Sequence, residues 1–261
     1  MSQQLSQYDE IRPYSPEELP SVLSELLEDP MFTAIVQNFF QGVPVEALKA
    51  KMLSCRNNLE FQKTFIYPLI KQLLAKNCTG LTFDTPLDPG YNYTYVSNHR
   101  DIVLDSALLS IVLIENGFED TPEIAIGDNL LIFPWIKKLV RVNKSFIVQR
   151  SLSMREMLES SRRMSSYMHY AVNEKHQSIW IAQREGRAKN SDDRTQDSVL
   201  KMMAMGGEGS PAERLKSLNI VPLSISYEYD PCDYLKAQEF QQKRDNPDFK
   251  KSREDDLKNT Q

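Results

Sequence analysis

YNYTYVSNHRDIVLDSALLSIVLI (residues 91–114) divides into a β-like run from Tyr91 to Val96, a polar turn carrying His99, and an apolar segment from Ile102 to Ile114. The apolar segment is too short to span a bilayer and is interrupted by Asp105, Ser106 and Ser110, so it reads as a buried helix. Strand, turn and helix in that order are a building unit of an α/β layer.

Working outward, further β-like runs occur at Leu81–Phe83, Glu123–Gly127, Ser145–Gln149, Ser178–Ala182 and Ile220–Tyr227. Helical patterns separate them. In Ser151 to Val172, residues Met154, Met157, Leu158, Ser161, Met164, Met168 and Ala171 follow i, i+3, i+4, i+7 spacing. The alternation predicts an α/β fold over residues 79–229, with a mixed central sheet flanked by helices. Residues 1–78 read as an N-terminal helical region, opened by Ser15-Pro16-Glu17-Glu18 and punctuated by Asp29-Pro30 and Gly42-Val43-Pro44. Near its end, Phe61, Phe65, Leu69 and Leu73 predict one apolar stripe on a helix from about Asn57 to Lys76. Residues 230–261 carry both charges and read as an exposed helix or tail. The closing DDLKNTQ shows no terminal element, which leaves room for a longer chain.

Composition bounds the function. With 261 residues, 41% hydrophobic, the chain has enough apolar material for a sizeable core. A net charge of −5 gives no global basic field, so a nucleic-acid partner is not expected. Cys55, Cys78 and Cys232 are scattered with no CxxC pair, which argues against a metal site or a disulfide framework. The N-terminus, MSQQLSQYDE, is polar and shows no signal peptide. The expected location is the cytoplasm, with any membrane contact peripheral and on the inner face of the cytoplasmic membrane.

Within the opening stretch, SNHRDIVLD sets His99 in a loop and Asp105 six residues later. Histidine suits proton acceptance near neutral pH, and a neighbouring carboxylate fixes its tautomer and stabilises the imidazolium. Residues six apart on one helix lie about 120° apart, so the two meet only if the chain turns back before the helix begins. Asp101 is placed to cap that turn. The competing reading is a loop histidine bonded to backbone beside an ordinary first-turn acid. His169 and His176 are expected at the surface. A second cluster, IWIAQREGRAKN (179–190), is a strand ending in Glu185, Gly186, Arg187 and Lys189; Arg150 closes SFIVQR (145–150) in the same way. Strand ends are where α/β sheets bind ligands, and arginine matches phosphate oxygens in pairs. Pro222 opens the last strand, a position where its missing N–H is tolerated.

In order, SNHRDIVLD, SFIVQR, REGR and IVPLSISYE resemble the four sequence blocks of the glycerolipid acyltransferases, the glycerol-3-phosphate and lysophosphatidate enzymes, over roughly residues 90 to 228. The resemblance implies that His99 is the catalytic base and Asp105 its partner. Arg150, Glu185, Gly186, Arg187, Lys189 and Pro222 would then line the substrate site. Departures are local. Five residues separate His99 from Asp105 where the family has four; LDSALL aligns Asp105, and Asp101 is the second candidate. Arg184 stands where the family has proline, and Arg187 follows the glycine directly, which leaves open whether Arg187 or Lys189 takes the phosphate. The tyrosine-bearing IVPLSISYE leans towards the glycerol-3-phosphate branch. The resemblance further implies acyl-CoA or acyl carrier protein as donor, a phosphorylated glycerol or lyso-lipid as acceptor, and no cofactor or metal. Lys137, Lys138 and Arg141 in FPWIKKLVR could meet an acidic carrier protein or an anionic membrane; the other reading is an ordinary amphipathic core helix. The alternatives are a related acyltransferase acting on another lyso-lipid, amine or pigment, and a non-catalytic acyl- or lipid-binding protein.

Overall fold

The computed structural model describes residues 6–150, 153–190 and 192–249. Upstream of the sheet, α1 (Leu19–Glu28), α2 (Pro30–Phe39) and α3 (Val45–Leu53) close around Leu19, Leu23, Leu26, Phe32 and Met52. The Asp29 carboxylate accepts from the N–H groups of Met31 and Phe32, and Pro30 takes the first helical position, where no N–H is needed.

The helical stretch 58–77 departs from the predicted stripe. It consists of α4 (Asn58–Phe61), a π-turn (Gln62–Ile66) and α5 (Tyr67–Asn77). A π-turn holds one residue more than an α-turn, so it advances the buried face by one position. Phe61 and Phe65 are buried as expected, but beyond the turn the inward positions are Ile70 and Leu74, while Leu73 is exposed.

Five strands carry the α/β part: β1 (Thr94–Ser97), β2 (Glu123–Gly127), β3 (Ser145–Val148), β4 (Ile179–Ala182) and β5 (Ile220–Leu223), in the order β3-β2-β4-β1-β5. Between them run α6 (Leu104–Glu115), α7 (Pro134–Val142), α8 (Met154–Asn173), and the pair α9 (Asp197–Met203) and α10 (Pro211–Ser217); α11 (Asp233–Asp245) follows β5. Helices flank the central sheet as expected, but every pairing among the described strands is parallel rather than mixed. Each connection between consecutive strands crosses over through a helix, and a crossover returns the chain to the edge it left.

Alternate residues face opposite layers, as strand geometry requires. Val96, Ile179 and Ile181 pack with Met164, Tyr167 and Met168 of α8, whereas Tyr95 and Trp180 pack with Leu109, Val112 and Leu113 of α6. Leu81–Phe83, expected as β-like, forms no strand; Phe83 packs against the α6 face instead. The last strand stops at Leu223 and does not reach Tyr227. The C-terminal segment is helical over α11, and residues 250–261 lie outside the described residues.

Candidate active site

The parallel arrangement puts the carboxyl ends of all five strands on one edge, and β1, between β4 and β5, delivers His99 there. The Asn98 amide donates to the Ile225 carbonyl (2.8 Å) and its oxygen accepts from the Ile225 N–H (2.8 Å). These two bonds replace strand pairing beyond Leu223 and tie the loop after β1 to the loop after β5. Asp101 Oδ1 then accepts from the N–H groups of Val103 (2.9 Å) and Leu104 (2.8 Å), which turns the chain into α6. Asp105 is thereby placed in the first turn of α6, beside the imidazole.

His99 Nδ1 lies 2.9 Å from Asp105 Oδ2. The same oxygen accepts from the N–H groups of Arg100 (2.7 Å) and Asp101 (3.0 Å), and Oδ1 accepts from the Tyr227 hydroxyl (2.8 Å). Asp105 is fully buried, and these four bonds stand in for the water that a buried carboxylate loses. Burial, and then the charge of Asp105, pushes the Tyr227 phenol far above its ordinary value, so it remains a donor. Because the carboxylate accepts, Nδ1 is assigned the ring proton and Nε2 keeps the lone pair. Nε2 has no hydrogen-bond partner among the described residues, and the imidazole is 12% exposed. Asp193 Oδ2 accepts from the His99 N–H (2.9 Å), and the Trp180 and imidazole rings meet in a T-shaped contact with centroids 5.7 Å apart. Asp101, the second candidate partner, shapes the turn rather than touching the imidazole.

The glycine-containing cluster reaches the same loop. The Ala188 N–H donates to the His99 carbonyl (2.7 Å), so the segment Glu185–Lys189 sits against the histidine turn. Gly186 has φ +70°, a conformation that favours glycine. Arg187 is half-buried and has neither an ion pair nor a hydrogen bond among the described residues. Lys189 differs: its ammonium pairs with Glu239 of α11. Arg150 lies against Gly127, with Nη1 3.7 Å from Glu185 Oε1. β3 stands three strand spacings from β1, about 14 Å, and the Arg150 side chain reaches back over β2 to Glu185 in the loop after β4. Pro222 lies on edge strand β5 opposite Val96, where its missing N–H faces no neighbouring strand.

A groove of about 530 Å³ opens beside the pair. Leu104, Leu108, Val112 and Leu223 line it, and Tyr227 links its wall to Asp105. Leu81 and Tyr229 in its wall are exposed.

Several expectations are corrected. His169 is buried rather than at the surface; Nε2 is bonded to the Met203 carbonyl at 3.1 Å and Nδ1 lies 3.3 Å from the Ser217 hydroxyl, because α9 and α10 cover α8 at that position. The basic patch of FPWIKKLVR does not assemble. Arg141 is buried, with its guanidinium on the carbonyls of Arg12 and Asp9, and Lys138 pairs with Glu25, which leaves Lys137 at the surface. No local pattern marks Tyr227 as a partner of Asp105, although the tyrosine is conspicuous in IVPLSISYE. Among the described residues no cluster of metal-ligating side chains occurs, and no helix is long and apolar enough to cross a membrane.

A family model described as Acyltransferase matches residues 81–226, more than half of the chain. No curated protein matches the sequence. The matched stretch contains every site residue taken from the four blocks, and it ends inside the fourth, one residue before Tyr227.

Proposed function

The chain belongs to the glycerolipid acyltransferase family, its activity is acyl transfer, and on that footing we propose that it moves a fatty acyl group from acyl-CoA or acyl carrier protein to a hydroxyl of glycerol 3-phosphate or lysophosphatidate. The observation that carries this reading is the His99–Asp105 contact at 2.9 Å on the carboxyl edge of the sheet, beside an apolar groove. Nε2 of His99 takes the acceptor hydroxyl proton as that oxygen attacks the thioester carbonyl carbon. The carbon–sulfur bond then breaks, and the departing thiolate receives the proton from the imidazolium. Asp105 steadies the ring and its transient charge. The groove houses the acyl chain, and Pro222 directs Leu223 into its wall. The exposed Leu81 and Tyr229 in its wall support peripheral seating of the groove mouth on a membrane, which would deliver lipid substrate directly. Glu185 and Gly186 shape the acceptor side.

Arg187 is the acceptor-phosphate ligand in this reading, because it lies close to the histidine loop and carries no internal partner. Lys189 is committed to Glu239 and acts by fixing the loop, and Arg150 extends the cationic edge. Arg187→Ala therefore raises the acceptor KM by about 10-fold or more while leaving the donor KM near wild type, read from initial rates with each substrate varied in turn. Equal effects on both substrates would remove Arg187 from the phosphate site. A second expectation concerns Gly127, where an added Cβ would lie 2.9 Å from Arg150 Nε and 2.5 Å from Asn129 Oδ1. Both are ends of flexible side chains, so Gly127→Ala leaves the thermal midpoint nearly unchanged but displaces Arg150; the acceptor KM rises by less than for Arg187→Ala. The founding experiment is thiol release from acyl-CoA by the purified chain with glycerol 3-phosphate, and with lysophosphatidate as competitor. Thioester binding without thiol release for any acceptor would favour the non-catalytic lipid-binding reading.

A further inference from the structure

Two charged residues on α11 are almost entirely buried: Lys236, 5% exposed, and Glu239, 3% exposed. They are three residues apart and so share one helix face. The ammonium of Lys236 donates to the Arg100 carbonyl (2.8 Å) and to Asp230 Oδ2 (2.5 Å). Arg100 is the residue whose own N–H holds Asp105, and its guanidinium bridges Asp230 Oδ1 (2.8 Å) and the Asn190 carbonyl (2.5 Å). Glu239 pairs with Lys189 in the glycine-containing loop and with Lys243 (2.6 Å). One helix thus grips both loops of the site. Burial alone would raise the carboxyl of Asp230, yet the hydrogen bonds from Arg100 and Lys236 hold it below the ordinary aspartate value, so it is charged throughout the neutral range.

A buried charge is costly unless it is paired, and a surface tail has no need of two of them. Residue 226 ends the family match, so this clamp lies outside the matched acyltransferase stretch. The geometry points to α11 as a positioning element of the active site: Lys236 sets the Arg100 peptide, and with it the Asp105 carboxylate, while Glu239 sets the loop that presents Arg187. This rests on the functional reading given above. The two residues act on different steps. Lys236 serves the proton-transfer pair and Glu239 the acceptor pocket, so their loss separates kcat from KM.

The test uses the full chain. Lys236→Met is expected to lower kcat about 10-fold with both KM values within about twofold, and Lys236→Arg, which keeps a cationic donor, to recover most of it. Glu239→Gln is expected to raise the acceptor KM about 10-fold with kcat little changed. If kcat and KM change together in both variants, in step with a lost folded fraction, α11 is only structural and the proposal falls. Should Lys236→Met fail to fold, Glu239→Gln decides by the same split. A second readout does not require turnover. The chain has 3 histidines, so the nitrogen-15 resonances of the imidazole at His99 are separable by nuclear magnetic resonance. Lys236→Met should shift the Nδ1-protonated pattern of His99 while leaving His176 unchanged; an unmoved His99 overturns the positioning role. If the wild type transfers no acyl group while the His99 resonance still responds, the functional reading fails and the clamp stands.

Discussion

His99→Ala lowers acyl transfer by about 10²–10⁴-fold, the range in which a positioned general base contributes. The fold survives, for a reason visible in the hydrogen bonds. Without the imidazole, Asp105 still accepts from the N–H groups of Arg100 and Asp101 and from the Tyr227 hydroxyl, so no buried carboxylate is left unpaired. The measurement is kcat of the purified variant with its circular dichroism and thermal midpoint. Turnover near wild type in a folded variant removes His99 as the base.

Asp105→Asn has the second largest effect, and its size follows from the same four bonds. An amide offers one oxygen and one NH₂ group. The oxygen is required where two backbone N–H groups and the imidazole converge, which turns the NH₂ towards Tyr227, whose hydroxyl can rotate to accept. The correct histidine tautomer is therefore retained and the negative charge opposite the imidazolium is lost. In the serine-protease triad the corresponding change costs about 10⁴-fold because the tautomer is wrong. Here the expected loss in kcat is smaller, about 10²–10³-fold, with KM nearly unchanged. Weaker hydrogen bonds to a neutral acceptor cost about 1–3 kcal/mol, read from the urea midpoint. A loss as large as that of the triad would mean that the amide sits the other way round, with NH₂ towards the ring.

The contrast between these two residues and Lys189 shows where local pattern ends. Asp101, Asp105 and His99 are close in sequence, and their geometry is set by one Asx turn at the head of one helix. The fate of Lys189 depends on Glu239, 50 positions away. Neither residue's neighbours in the chain reveal the pairing, so a cation that reads as a phosphate ligand turns out to be held internally. Arg141 is the same case: its neighbours make it part of a basic run, but the fold of the N-terminal segment covers it with backbone carbonyls. The π-turn at Gln62–Ile66 is a subtler failure, because one extra residue per turn shifts an apolar stripe that the intervals of four had placed on Leu69 and Leu73.

What the sequence determined by itself depends on short intervals: the alternation of strands and helices, the capping residue Asp101 at a turn that brings Asp105 within reach of His99, and the positions of the basic residues at strand ends. Tertiary structure alone decided that the strands run parallel, that Tyr227 closes the fourth bond on Asp105 from 122 positions away, and that α11 grips both site loops. The physical reason is that hydrogen-bonding turns and helical periodicity are fixed by neighbours along the chain. The partner of a buried charge is fixed by which elements happen to pack against it.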